Sequence, residues 1–367
     1  MTIAERKAPA LTEARHFPIF DKRPHEEFVE RWKEYIAETG YPELFENVST
    51  SRPYDMAGIV VLSGELKIPR VRRLDGALVP CPLCSAGAPK FEIGVLAWFP
   101  AERTIMCIGH DCARRHLGEE YVAARQVYNR ESKARRFVDV WSELQERAPR
   151  LREIGWQLMP IATAIENARK QFENEAPGFL DVIHGEYLIN SGRISTVVDT
   201  GLRDQRRRKV YETVQIGTLV GREFLENKAP AKTLRAILRT LDGIDEPLPN
   251  WTPGDESNDA LDEILRRGRE IIPAIQKMKL VRDYVADARL FLHENNLKLF
   301  ERWGELENSP FERLEFRRRG SWIFLDSVSF HGRHKAYFRI SEDMFMPLPE
   351  ASDSSFSIHG FGKVGEF

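Results

Sequence analysis

Apolar side chains recur along this chain with two distinct periods. Between residues 25 and 38, Phe28, Trp32, Tyr35 and Ile36 fall on one helical face, and Gly40 and Pro42 close the pattern. From Phe137 a spacing of three and four runs through Trp141, Leu144, Leu151, Ile154, Leu158, Ile161, Ile165, Ala168 and Phe172. That is the seam of a coiled coil or long helical hairpin. Pro149 and Pro160 lie inside it and predict a kink or break. A second helical stretch covers 257–305, with Leu261, Ile264, Ile271, Ile275, Met278, Val285, Ala288 and Leu292 on one face and Pro273 within it. Each stretch carries one apolar stripe, so the two are expected to pair antiparallel, with residues 177–256 inserted at the far end.

Strand-like runs occupy 57–62, 91–99, 104–108, 195–198 and 212–220, and a short helix is predicted over 231–241. Near the C-terminus, 311–316, 322–330 and 335–340 are short strands parted by Arg-Gly-Ser and His-Gly-Arg turns, a β-meander. The expected fold class is therefore α+β. Its parts are an N-terminal α/β segment (1–75, with a loosely held lead-in over 1–23), a cysteine module (76–120), a long helical hairpin (121–310) with an α/β insertion at 177–256, a β-meander (311–350) and a flexible tail (351–367).

Composition narrows the possible roles. Of 367 residues, 42% are hydrophobic and 30% charged, enough apolar mass for a core. No apolar run is long enough to span a bilayer, and no secretory signal is readable at the N-terminus, so a cytoplasmic, non-membrane protein is expected. Lys and Arg number 54 against 56 Asp and Glu, a formal net charge of −2. A chain-wide basic coat for nucleic acid is thus absent, and any such surface must be local.

The four cysteines are Cys81, Cys84, Cys107 and Cys112, and no other part of the chain contains one. Such clustering without an export signal argues for a metal rather than disulfides. Cys81 and Cys84 form a C-x2-C knuckle whose loop is pre-set by Pro80 and Pro82. Residues 85–106 suffice for a β-hairpin that returns the chain to the metal. Cys112 sits near a predicted helix start, with Asp111 as N-cap, where the helix dipole favours a thiolate.

Knuckle, hairpin and ligand-bearing helix, from Cys81 to His116, resemble the treble-clef class of zinc fingers. The resemblance implies a structural Zn2+ held by four protein ligands, Cys81, Cys84, Cys107 and Cys112. The C-x4-C second half departs from the commoner C-x2-C, which leaves ligands three and four open: His110 could replace Cys112, and His116 could replace Cys107.

Candidate nucleic-acid contacts are Arg70, Arg72 and Arg73 ahead of the knuckle, Arg114 and Arg115 on the helix leaving it, and Arg206, Arg207, Arg208 and Lys209 in the insertion. The expected role is a zinc-stabilised protein that binds DNA or RNA, with the helices as spacer or dimerisation element. A protein-interaction adaptor docking a protein partner through the zinc module is the alternative. A metal-dependent enzyme is a third reading, but no phosphate-binding loop, nucleophile elbow or H-E-x-x-H helix occurs, so no catalytic residue is assigned. The deaminase pattern H-x-E with P-C-x-x-C fails as well: His25-Glu-Glu27 lies far upstream of Cys81, and His184-Gly-Glu186 falls in the wrong order.

Overall fold

The computed structural model describes residues 13–85, 89–255, 257–307, 309–330 and 332–361. It is a mixed α+β structure with a long helix, several small antiparallel sheets and a C-terminal three-stranded sheet. Two compact units divide it, one of Met1–Val138 with Pro249–Leu265, the other of Asp139–Leu248 with Arg266–Phe367. Among the described residues no helix is long and apolar enough to cross a membrane.

In the first unit, helix α1 (Glu26–Thr39) buries Val29, Trp32 and Ile36, the face anticipated from the spacing. Each such side chain contributes about 1.5–3 kcal/mol by leaving water. The helix lies against a four-stranded antiparallel sheet built on β1 (Val60–Val61), β2 (Leu66–Lys67), β5 (Ile93–Phe99) and β6 (Thr104–Gly109). β5 is central: β6 pairs along one edge of it from Gly94↔Gly109 to Phe99↔Thr104, while β1 and β2 share the other. A separate two-stranded ladder joins β3 (Val79–Pro80) to β4 (Pro89–Phe91). Phe91 lies over the paired glycines: a Cβ at Gly94 would fall 2.4 Å from its ring, and one at Gly109 2.7 Å. Only glycine on both strands lets that ring seat there.

Helix α2 spans His110–Glu175 and crosses from the first unit into the second. Its one break in helical backbone is at Gly118 (φ 53°), not at Pro149 or Pro160. A proline inside a helix costs about 3 kcal/mol, but its fixed φ is itself helical. Here the flanking stripe offsets that cost, since Ala148, Leu151, Leu158 and Ile161 are all buried.

In the second unit, α3 (Phe179–Asn190) leads into a long ribbon of β7 (Arg193–Arg203) and β8 (Lys209–Thr218), followed by α4 (Pro230–Asp242) and α5 (Asp259–Ala288). The expected antiparallel pairing of the two long helices is not what forms. Arg267 of α5 stacks on Trp141 of α2 at 4.7 Å, and further along Met278 reaches Gly155, so the two helices run parallel. The antiparallel partner of α2 is α4: Glu166 accepts from the Ala231 N–H at 2.7 Å near one end, and Arg152 pairs with Asp245 at 2.6 Å beyond the other. The stretch read as an insertion therefore supplies a packed helix. The reversal through α4 is what makes α5 set out in the direction of α2. At Gly155 an added Cβ would lie 2.8 Å from Leu238 and 3.3 Å from Met278, so the three helices meet at a residue with no side chain.

The second predicted helical stretch is interrupted after α5, and α6 (Glu294–Gly304) follows, capped by His293. Three antiparallel strands, β9 (Phe311–Arg319), β10 (Trp322–Ser329) and β11 (Gly332–Arg339), form the expected meander with β10 central. Its inner face joins Phe316 and Phe338 to a phenylalanine cluster: Phe172–Phe338 at 4.8 Å, Phe300–Phe316 at 5.2 Å, Phe224–Phe291 at 4.8 Å. The segment expected to be a flexible tail is ordered as far as it is described. Arg147 donates to the carbonyls of Ser354, Ser355 and Ser357, and Phe356 and Ile358 are buried. Residues 1–12 of the expected lead-in and 362–367 of the tail lie outside the described residues.

Candidate metal centre

The ligand-bearing loop starts where β3 ends. Cys81 accepts backbone hydrogen bonds at its carbonyl from the N–H groups of Cys84 and Ser85, both 3.0 Å, which closes the C-x2-C turn. The opposite wall is the start of α2. Cys112 lies in its first turn; Asp111, expected as N-cap, is already inside the helix. The sulfurs of Cys81, Cys84 and Cys112 all lie within 4.8 Å of one another. Three thiols converging from a tight loop and a helix start form a group able to hold a metal ion, and a sulfur-rich donor set suits Zn2+.

The electrostatics fit ligands that await a cation. Burial pushes the Cys81 thiol up, partly countered by backbone N–H groups of Gly109 and Leu83 directed at its sulfur. Burial and then the neighbouring Cys81 thiol push Cys112 up to about 12. Three thiolates this close repel one another, and a bound dication removes that penalty.

Cys107 is not part of this cluster. It sits on β6 opposite Leu96, buried in the sheet, with Glu43 and Arg73 as its charged neighbours, and burial drives its thiol well above the usual range. It behaves as a small apolar core residue. Cys81 is near enough to raise the Cys107 thiol further, yet Cys107 lies outside the group of three converging sulfurs.

The two histidines held as alternates part company. His110 is turned to Glu65, whose Oε1 lies 2.6 Å from its Nδ1; Arg125 shares that carboxylate at 2.6 Å, and Tyr121 approaches at 3.5 Å. His116, one helical turn after Cys112, places Nε2 3.4 Å from Cys84 Sγ at the solvent side of the cluster.

The basic residues divide as sharply. Arg73 is buried and structural: it forms a two-pronged pair with Glu43 at 2.7 and 3.1 Å and donates to the carbonyls of Gly40, Ala77 and Leu78. It cannot reach a phosphate. Arg70 is exposed and donates to the Gly76 carbonyl, while Arg72, Arg114 and Arg115 are exposed. Arg206, Arg207, Arg208 and Lys209 crowd the tip of the β7–β8 ribbon. Arg208 pairs with Asp204 and Lys209 with Asp199, each at 2.9 Å. Arg206 and Arg207 have no ion-pair partner among the described residues. Sequence reasoning missed Glu43, which sits in a Pro-Glu-Leu turn indistinguishable from an ordinary surface loop.

The site thus defines a protein with a partly buried three-cysteine cluster able to hold a metal ion. No family model, curated protein or solved structure significantly matches this chain.

Proposed function

We propose that the chain is a zinc-stabilised nucleic-acid-binding protein. Zn2+ would be held by Cys81, Cys84, Cys112 and His116, an arrangement similar to a treble clef, with a knuckle giving two ligands and the first turns of a helix the other two. The proximity of His116 Nε2 to Cys84 supports the fourth ligand, as does the four-residue spacing that puts Cys112 and His116 on one face of α2. Four protein ligands leave no open position for a substrate, so the role of the ion is structural.

The observation that carries the binding role is the β7–β8 ribbon. Residues 193–218 hold six basic against three acidic side chains in a chain whose net charge is −2. The ribbon reaches about 33 Å from its base. Beyond the base, both of its faces are exposed, a state a lone two-stranded ribbon sustains poorly in water without a partner. Positive charge concentrated at such a tip is suited to a phosphate backbone. A second reading, docking of a protein partner, draws on Val197, Val198, Leu202 and Val214, which are exposed on the same ribbon.

Two measurements test the proposal. Elemental analysis should find about one zinc per chain, lost in Cys81→Ser, Cys112→Ser and His116→Ala. Anisotropy titrations with labelled duplex and single-stranded DNA and RNA should show binding that weakens steeply with salt, and Arg206→Ala/Arg207→Ala should reduce the salt slope by about 2. Absence of binding to every nucleic acid at about 50 mM salt overturns the binding role.

A further inference from the structure

The outward face of the C-terminal sheet has a composition that its fold does not require. An antiparallel sheet with one face on a core normally turns polar residues to water on the other. Here the cross-strand register stacks a different set. Trp322 of β10 stands between Arg319 and Arg339, Phe324 between Arg317 and Tyr337, Asp326 between Glu315 and Lys335, and Val328 between Arg313 and Arg333. The alternate residues Ile323, Leu325 and Ser327 are buried, so this whole set shares the open face.

Three aromatic rings are contiguous there. Trp322 and Tyr337 stack at 4.5 Å with their planes 10° apart, and Phe324 meets Tyr337 at 4.6 Å. They are exposed by 40%, 55% and 37%, respectively, more than a side chain placed for packing alone. Around them stand six basic side chains and two acidic ones. Arg313 pairs with Glu315 and Asp326, and Arg317 with Glu301. Arg319, Arg333, Lys335 and Arg339 have no carboxylate partner among the described residues, and Arg319 lies 5.8 Å over the Phe324 ring.

Flat rings flanked by unpaired cations on an open sheet match one ligand chemistry: a chain of unstacked bases linked by phosphates. We infer that the open face of β9–β11 binds single-stranded nucleic acid, with bases stacking on Trp322, Tyr337 and Phe324 and phosphates held by Arg319, Arg333, Lys335 and Arg339. A duplex hides its base faces and cannot use the rings; a protein strand would have no need of four cations that lack a carboxylate partner. From Trp322 to Val328 the platform is about 20 Å long, room for two or three stacked bases. The inference deepens the nucleic-acid reading above by naming the strand form, but it stands on a different element from the ribbon tip.

The test uses the full chain and oligothymidylate and oligouridylate of about 20 nucleotides, beside a duplex of equal length. Both single strands should bind and quench tryptophan fluorescence, with most of the quench absent in Trp322→Phe. Trp322→Ala/Tyr337→Ala should weaken single-strand binding by on the order of tenfold per ring and leave duplex binding unchanged. Arg333→Ala/Lys335→Ala should lower the single-strand salt slope by roughly 1–2. Trp322→Phe, which keeps a stacking surface, should retain most of the affinity, which separates lost stacking from lost folding. Single-strand affinity unchanged in Trp322→Ala/Tyr337→Ala overturns the inference while leaving the ribbon reading intact if Arg206→Ala/Arg207→Ala still weakens duplex binding. Concentration-dependent self-association abolished by Trp322→Ala also overturns it, since the face would then join two copies of the chain. Failure to bind either form removes both readings.

Discussion

Arg73 offers a direct test of how the knuckle is held. Its side chain and that of Glu43 are each only 4% exposed, and five hydrogen bonds converge on one guanidinium: two to Glu43 and one each to the carbonyls of Gly40, Ala77 and Leu78. Two of those carbonyls lie immediately before β3, which runs into Cys81. Arg73→Met keeps length and bulk but removes the charge and every donor. It leaves a carboxylate buried without a cation, which costs about 3–5 kcal/mol, and strips partners from three carbonyls, each worth about 1 kcal/mol or more. A loss of at least 4 kcal/mol is expected, a large part of the roughly 5–15 kcal/mol that holds a typical domain. The double variant Glu43→Leu/Arg73→Met removes the stranded charge and should recover about 3 kcal/mol of that loss. Urea denaturation followed by circular dichroism and tryptophan fluorescence reads both. If Arg73→Met costs less than about 1 kcal/mol while nucleic-acid affinity drops, Arg73 is a surface phosphate contact after all and the account of the knuckle's support is wrong.

Cys107→Ala should keep the full zinc content measured by elemental analysis, with a stability cost of roughly 1 kcal/mol for the small cavity; loss of the metal would return Cys107 to the ligand set. Burial holds the His334 imidazole below its ordinary value of 6.5, with Nε2 enclosed and without a hydrogen-bond partner among the described residues. The unfolded chain then takes up a proton near 6.5 that the folded one refuses. Stability is therefore complete above that pH and declines as pH falls from 6.5 towards the lower folded value. Melting curves between about pH 8 and 5 should show this slope, flattened in His334→Gln; an unchanged slope refutes the assignment to His334.

What the sequence disclosed follows from how local the determining physics is. The period of α1, the strands flanking residues 100–103 and the meander were legible, as were the middle of β7 and most of β8 though not their pairing into a ribbon, because each is decided by alternation and turn residues within about ten positions. The direction of α5 was not. One apolar stripe on each of two helices is satisfied by a parallel or an antiparallel neighbour, and only the reversal through α4 decides between them. The metal ligands show the same division. Cys81 and Cys84 are fixed by a four-residue turn, whereas choosing between Cys107 and His116 requires the distances between a sheet residue, a helix residue and the knuckle, which only the folded chain sets. Arg73 misled because a run of basic residues looks solvated until its buried acid partner, Glu43, is placed beside it.

The metal's part in the first unit also differs from what a lone cysteine module would need. A finger too small for a core depends on its ion to fold at all. Here Cys81 lies within a core that also holds Trp32, Phe99, Ile105 and Tyr121, drawn from α1, β5, β6 and α2. That core spans well over the knuckle, and Cys107, the thiol outside the cluster, is one of its members. On the proposed reading, a bound ion would fasten two local pieces, the 81–84 loop and the first turns of α2, onto a sheet that burial already holds. Arg73 fixes the chain just upstream of Cys81, and the Gly94–Gly109 seat for Phe91 fixes β4 to the sheet just downstream of the loop. Neither contact uses a cysteine sulfur, so the thiols of Cys81 and Cys84 meet Cys112 on a frame that other interactions build. Preorganisation of that kind lowers the ordering entropy that metal binding must overcome, so the cluster could bind an ion without being the source of the fold.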